Sequence, residues 1–252
     1  MNFVYLIPFS YFYFTRLRHA SLAFHLVFEW LAALFLVSFF GDHGWLAAIS
    51  ASLLSYFAFV SIYEIGYLAN DLFSAKRETD GRARGPQGAD WRWIACWIAV
   101  RVIAFVTIAA ALDRLFSGQW WSFFTALGLV LVSHNALVDR ELKAISFIWL
   151  SWFRFMAPVI FVVDASQVPG IGLCAAMSYC CFRLLGYLDS KGLLKMPGRQ
   201  RSRFRLSFFS APLCGALALW KYQGTDGFVA LSGYYFLAAI IGVFSRNLQG
   251  RF

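Results

Sequence analysis

Runs of about twenty apolar residues recur along this chain, and that repetition constrains its fold more than anything else in the sequence. A helix needs roughly that length to cross the hydrocarbon core of a bilayer. Eight such runs are predicted, at about 24–40, 45–67, 93–112, 120–138, 145–163, 168–187, 206–221 and 228–245. Pro158 and Pro212 fall inside two of them. An aromatic stretch before the first run, 3–14, is too short to cross and is expected to lie in the membrane interface. Charged residues make up only 14% of the chain, against about 25% in soluble domains. The expectation is one all-α polytopic membrane domain over residues 1–252. No charged segment precedes the first apolar stretch in the manner of a cleavable leader. The five cysteines lie in apolar stretches without paired spacing and read as small buried hydrophobes.

The basic residues orient the spans. With eight crossings, Arg114 and Lys221 are the only lysines or arginines in loops on one side; all the other loop cations fall on the other side. Positive charge is retained on the cytoplasmic face, so both termini and the 70–90 loop are expected there. The net charge of +9 follows largely from this bias and suits anionic membrane lipids. It does not suggest nucleic acid as a partner, because the cations are spread over several loops.

One segment departs from the apolar pattern. The second run ends in YEIGYLANDLFSAKRETDGRARGP, Tyr63 to Pro86. Carboxylates where a span meets water are costly to place and are functional candidates for that reason. If the helix continues past Tyr67, Glu64 and Asp71 project from one face, roughly 10 Å apart. Asn70, Ser74 and Glu78 recur every four residues as a neighbouring polar stripe. Mg²⁺ takes oxygen ligands, often one or two carboxylates with substrate phosphates. Asn70, Asp71 and Glu78 are therefore the candidate metal ligands, and Lys76, Arg77, Arg82 and Arg84 could meet phosphate charge. The arginines alone are better read as what the positive-inside rule produces.

The segment from Tyr67 to Pro86 resembles the first motif of the UbiA superfamily of intramembrane prenyltransferases. That motif opens with Asn-Asp, continues with acids at four-residue intervals, and closes on basic residues before a proline. This chain has Asn70, Asp71, Glu78, Arg82, Arg84 and Pro86, with Ser74 where an acid is usual. Val138 to Pro158 looks like the family's fourth-to-fifth span connection, with Arg154 near Ala157. Phe182 to Leu194 falls at its second motif, here reduced to Asp189 and Lys191. The compact Asn70–Asp71 start most resembles the branch that transfers phosphoribosyl from phosphoribosyl diphosphate to a polyprenyl phosphate, and the thin second motif points the same way.

The resemblance implies a bundle of eight or nine helices with a cytoplasm-facing cavity, in a bacterial inner membrane. It implies a Mg²⁺-dependent transferase serving cell-envelope assembly. Asp71, Glu78 and Asp189 would be catalytic, and Asn70, Arg82, Arg84, Arg154, Arg183 and Lys191 would bind substrate. The partners would be a polyprenyl lipid and a small phosphorylated or diphosphate substrate. The superfamily's commoner chemistry, prenyl transfer to an aromatic or small acceptor, is the alternative. A non-catalytic subunit of the same fold and a lipid transporter are the competing classes.

Arg101, Arg154 and Arg183 fall inside spans, where each needs a partner or a wet cavity. Arg154 is expected to face a phosphate, and Arg183 to share a helix face with Tyr187 and Lys191. Arg101 is expected to pair with Glu29 or Glu64. His25 and His134 read as packing groups near span ends. Arg199–Arg205 reads as a basic loop at the lipid headgroups, or as a lid over an anionic substrate. No zinc, Walker or hydrolase motif is present.

Overall fold

The structure, a computed structural model, describes residues 3–19, 21–41, 44–77, 84–86 and 88–249. Among them it is all-helical, apart from one isolated antiparallel bridge between Gly41 and Val163. Helical segments stand where each of the eight apolar runs was expected. They are α1 (Leu22–Phe40), α2 (Trp45–Ser74), α3 (Trp91–Ala111), α4 (Gly118–Ala136), α5 (Arg140–Met156), α6 (Val168–Ser190), α7 (Ser202–Leu219) and α8 (Asp226–Gln249). Five, namely α1, α2, α3, α6 and α8, are long and apolar enough to cross a membrane. Of the others, α5 carries Arg140, Glu141, Lys143 and Arg154 within its 17 residues, and α7 begins with Arg203 and Arg205. Pro212 lies inside α7, as expected. Pro158 does not lie inside a helix: α5 stops at Met156, since a proline disfavours helical geometry in the residue before it.

The chain divides into two compact units. The first is Met1–Leu22 with Ser50–Ser146, and the second is Ala23–Ile49 with Phe147–Phe252. In the first unit, the core joins Tyr11, Leu68 and Trp97, and Phe105, Trp120 and Phe124 pack ring against ring between α3 and α4. In the second, Phe28, Phe155, Tyr179, Phe209 and Tyr235 form a continuous aromatic core. Large apolar side chains such as Phe39, Trp91, Val132, Ile241 and Phe244 are exposed. Exposed apolar surface in such quantity marks an interaction face, and lipid satisfies it on helices of this length.

Lipid gives helices little hydrophobic reason to associate, so close packing and internal polar bonds must hold them. Gly41 shows the first: a Cβ there would lie 2.5 Å from the Val37 carbonyl oxygen and 3.0 Å from Ala48 Cβ. Several of the buried polar bonds lie at three places where the helical ladder slips by one residue. Leu26–Trp30, Asn70–Ser74 and Ala176–Cys180 are π turns, each closed by an N–H to a carbonyl five residues back. Such turns are frequent at functional sites. Here they carry Glu29, Asp71 and Tyr179.

Candidate functional site

The first unit is organised around two buried carboxylates on α2. Glu64, fully buried, receives Arg101 from α3 through Nε at 2.9 Å and Nη2 at 2.8 Å. The expected pairing of Arg101 with Glu29 or Glu64 is therefore made with Glu64. The same guanidinium donates to the carbonyls of Tyr5, Leu6 and Ile7, while Trp97 Nε1 donates to Tyr5 at 2.7 Å. Tyr5 and Leu6 end the 3-10 turn Phe3–Leu6, whose last carbonyls need outside donors, and Arg101 supplies them. Glu64 also accepts the Phe12 N–H at 2.8 Å. The N-terminal stretch thus forms a short helix, Ser10–Thr15, docked on this unit with Tyr11 wholly buried.

That docking places two donors on the motif acid. Tyr11 Oη donates to Asp71 Oδ2 at 2.6 Å, and Arg16 Nη2 donates to Oδ1 at 2.7 Å. Burial, with the Asp71 charge beside it, pushes the Tyr11 phenol well above its ordinary range and keeps it a donor. Gly85 lies against the pair, where a Cβ would be 2.6 Å from Tyr11 Oη and 3.1 Å from Asp71 Cβ.

The expected α-helical stripe is corrected here. The π turn adds a residue between Asn70 and Ala75, so Asp71 and Ser74 are both buried and Asn70 half-buried. Ser74 Oγ donates to the Asn135 carbonyl at 3.0 Å and accepts from the buried Lys143 Nζ at 3.0 Å. Arg84 is exposed and Arg77 reaches the Asn135 carbonyl at 3.3 Å. Glu78 and Arg82 lie outside the described residues.

Magnesium does not fit Asp71 as it is held. Both carboxylate oxygens are engaged, one of them by a guanidinium, and the residue is 1% exposed. Among the described residues, no group of three His, Cys, Asp or Glu could hold a metal ion.

The second unit holds a larger cluster. Glu29 on α1, fully buried, accepts Arg154 Nε from α5 at 2.7 Å and Tyr179 Oη from α6 at 2.6 Å. Its Oε2 also lies 2.8 Å from His25 Nδ1, which is 3.3 Å from Arg154 Nη2. Arg183 Nη1 donates to Tyr179 Oη at 2.7 Å. Its guanidinium stands 5.4 Å from the rings of Phe147 and Tyr179, and Tyr187 stacks on Phe147, so Arg183 and Tyr187 share a face as expected. Arg154 is corrected: its guanidinium is turned to Glu29 and His25 instead of standing ready for a phosphate. Further along α6, Asp189 accepts Arg199 Nε at 2.8 Å, with both side chains partly exposed. Arg199, at the start of the basic loop, is paired with this acid. Lys191 follows at the helix end, half-buried.

Of the residues predicted from sequence, Asn70, Asp71 and Arg84 belong to the first unit, and Arg154, Arg183, Asp189 and Lys191 to the second. Tyr11, Arg16 and Lys143 in the first unit, and His25, Glu29 and Tyr179 in the second, were not among the predicted site residues. Glu29 and Lys143 could have been singled out, since a charge in an apolar helix needs a partner.

Comparison of the chain with protein-family models, curated proteins and solved structures finds no match. Over the described residues, fold and chemistry together define an all-helical membrane protein with buried, internally paired polar clusters in each unit.

Proposed function

We propose that the chain is an integral-membrane transferase of the UbiA type, with eight or nine spans, a cytoplasm-facing cavity and both termini in the cytoplasm of a bacterial cell. Its reaction in this reading is phosphoribosyl transfer from phosphoribosyl diphosphate to a polyprenyl phosphate, in cell-envelope assembly. Prenyl transfer to an aromatic or small acceptor is the alternative chemistry.

The observation that carries the reading is the π turn Asn70–Ser74. It buries the motif acid at the end of α2, and the exposed Arg84 and Arg77 follow it in the chain. Exposed guanidiniums suit the bidentate recognition of phosphate. Arg82 would join Arg84 on the diphosphate. Arg183 and Lys191 would serve the lipid phosphate, while Arg154 would hold Glu29 and keep that cluster in register. Asp71, Glu78 and Asp189 are the candidate catalytic acids of this reading. No step is assigned to magnesium, because Asp71 does not fit it.

A second reading, a non-catalytic subunit of the same fold, is favoured by the occupied Asp71 and by Ser74 in an acid's place. Radiolabelled phosphoribosyl diphosphate and polyprenyl phosphate, incubated with the purified chain in nanodiscs, separate the two. The transferase reading expects lipid-linked label that Arg84→Ala reduces. No product with this pair, or with any prenyl diphosphate and acceptor, would leave the non-catalytic reading.

A further inference from the structure

Two protein cations stand along the polar turn at the end of α2. Arg16 meets Asp71 at 2.7 Å, and Lys143, 2% exposed, meets Ser74 at 3.0 Å. We infer that these side chains take the place of a divalent cation: Arg16 is the built-in counterion of Asp71, and the Asn70–Ser74 turn does not use Asp71 as a metal ligand. This goes beyond the transferase reading and does not depend on it.

The contact is not a loose surface pairing. Arg16 is fixed from three directions: Nη2 on Asp71, Nη1 on the Thr15 carbonyl at 3.3 Å, and the guanidinium over the Tyr67 ring at 4.6 Å. Tyr11 holds the second carboxylate oxygen and is itself edge-on to Trp97 at 5.5 Å. Its helix is tied down by Glu64 at the Phe12 N–H, and by Thr15 Oγ1 donating to the Tyr11 carbonyl at 2.6 Å. Arg101 holds the carbonyls that precede that helix. Gly85 lies against both side chains.

A magnesium ion needs near-octahedral oxygens at about 2.0–2.1 Å and gives up its waters reluctantly. To reach Asp71 it would have to displace a guanidinium and a phenol and open a buried site. Further along the turn, where an acid would add a second ligand, Ser74 instead accepts from an ammonium. A site meant for a divalent ion would not place a protein cation at both positions, because like charges at contact distance repel.

The test reads metal binding, not activity. Mn²⁺, a paramagnetic stand-in for Mg²⁺, is titrated against the purified full chain in phosphatidylcholine nanodiscs, with free ion followed by electron paramagnetic resonance. Wild type and Asp71→Asn are expected to bind Mn²⁺ identically. Arg16→Gln is expected to gain a site, through the freed carboxylate, that the added change Asp71→Asn removes. Binding by wild type that Asp71→Asn abolishes would overturn the inference, and so would an Arg16→Gln variant that gains nothing. If a variant fails to fold, the wild-type melting temperature decides. No change between EDTA and Mg²⁺ is expected, and a saturable rise with Mg²⁺ would overturn the inference.

Discussion

The two units solve the same problem with nearly the same parts. Each buries a carboxylate on a π turn and grips it with a tyrosine hydroxyl at 2.6 Å and an arginine at 2.7 Å: Tyr11 and Arg16 on Asp71, Tyr179 and Arg154 on Glu29. They differ in what delivers the grip. Around Asp71 it comes from a short N-terminal segment; around Glu29 it comes from α5 and α6. A short segment can leave by local opening, whereas drawing Arg154 or Tyr179 away means moving a long helix. The Glu29 cluster also gathers His25 and, through Tyr179, Arg183. The first cluster is a latch and the second is a rivet.

Breaking the rivet is expected to have the largest effect. Glu29→Leu leaves Arg154 buried without its carboxylate and should cost about 3–5 kcal/mol in thermal unfolding of the detergent-solubilised protein. Arg101→Leu should approach that cost, about 3 kcal/mol or more, and act locally. Glu64 and three carbonyls lose the Arg101 guanidinium, so limited proteolysis should cut between residues 3 and 16 while the second unit stays intact. The tyrosines offer a matched pair. Tyr179→Phe and Tyr11→Phe each remove one hydrogen bond to a carboxylate, worth about 1.5–3 kcal/mol. Tyr179→Phe should sit at the upper end because Arg183 also loses its acceptor; equal losses would blunt the contrast between the units. The Tyr11 phenol adds a pH test, since its pKa is raised in the folded state. Its contribution is complete below the ordinary phenol value, about 10, and is lost as pH rises above it. Arg199→Ala should have the smallest effect, below about 1 kcal/mol, because its bond to Asp189 is partly exposed.

The helices were legible from their apolar runs, and five of them are long and apolar enough to cross a bilayer. The end of α5 was less so: an apolar run continues past Pro158, but the helix stops two residues before it. The N-terminal stretch was placed at the interface for its length; its carbonyls are satisfied by Arg101, about ninety-five residues away in sequence.

The site was legible in part. Asp71, Arg154 and Arg183 stood out as polar groups in apolar surroundings. Their partners did not, because they are 55, 125 and 4 residues away and no local spacing encodes the first two. The π turns were invisible as well. A stripe drawn at 3.6 residues per turn misplaces Ser74 once the ladder slips by one residue, and nothing in NDLFS announces the slip.

The central claim is that Asp71 is held by Arg16, and a double-mutant cycle tests it most directly. Arg16→Gln, Asp71→Asn and the double variant are compared with wild type by thermal unfolding in the same detergent. A buried, hydrogen-bonded pair predicts a coupling of about 1–3 kcal/mol, with the double variant close to either single one. Strictly additive losses would show that the two side chains do not meet, and would contradict the account.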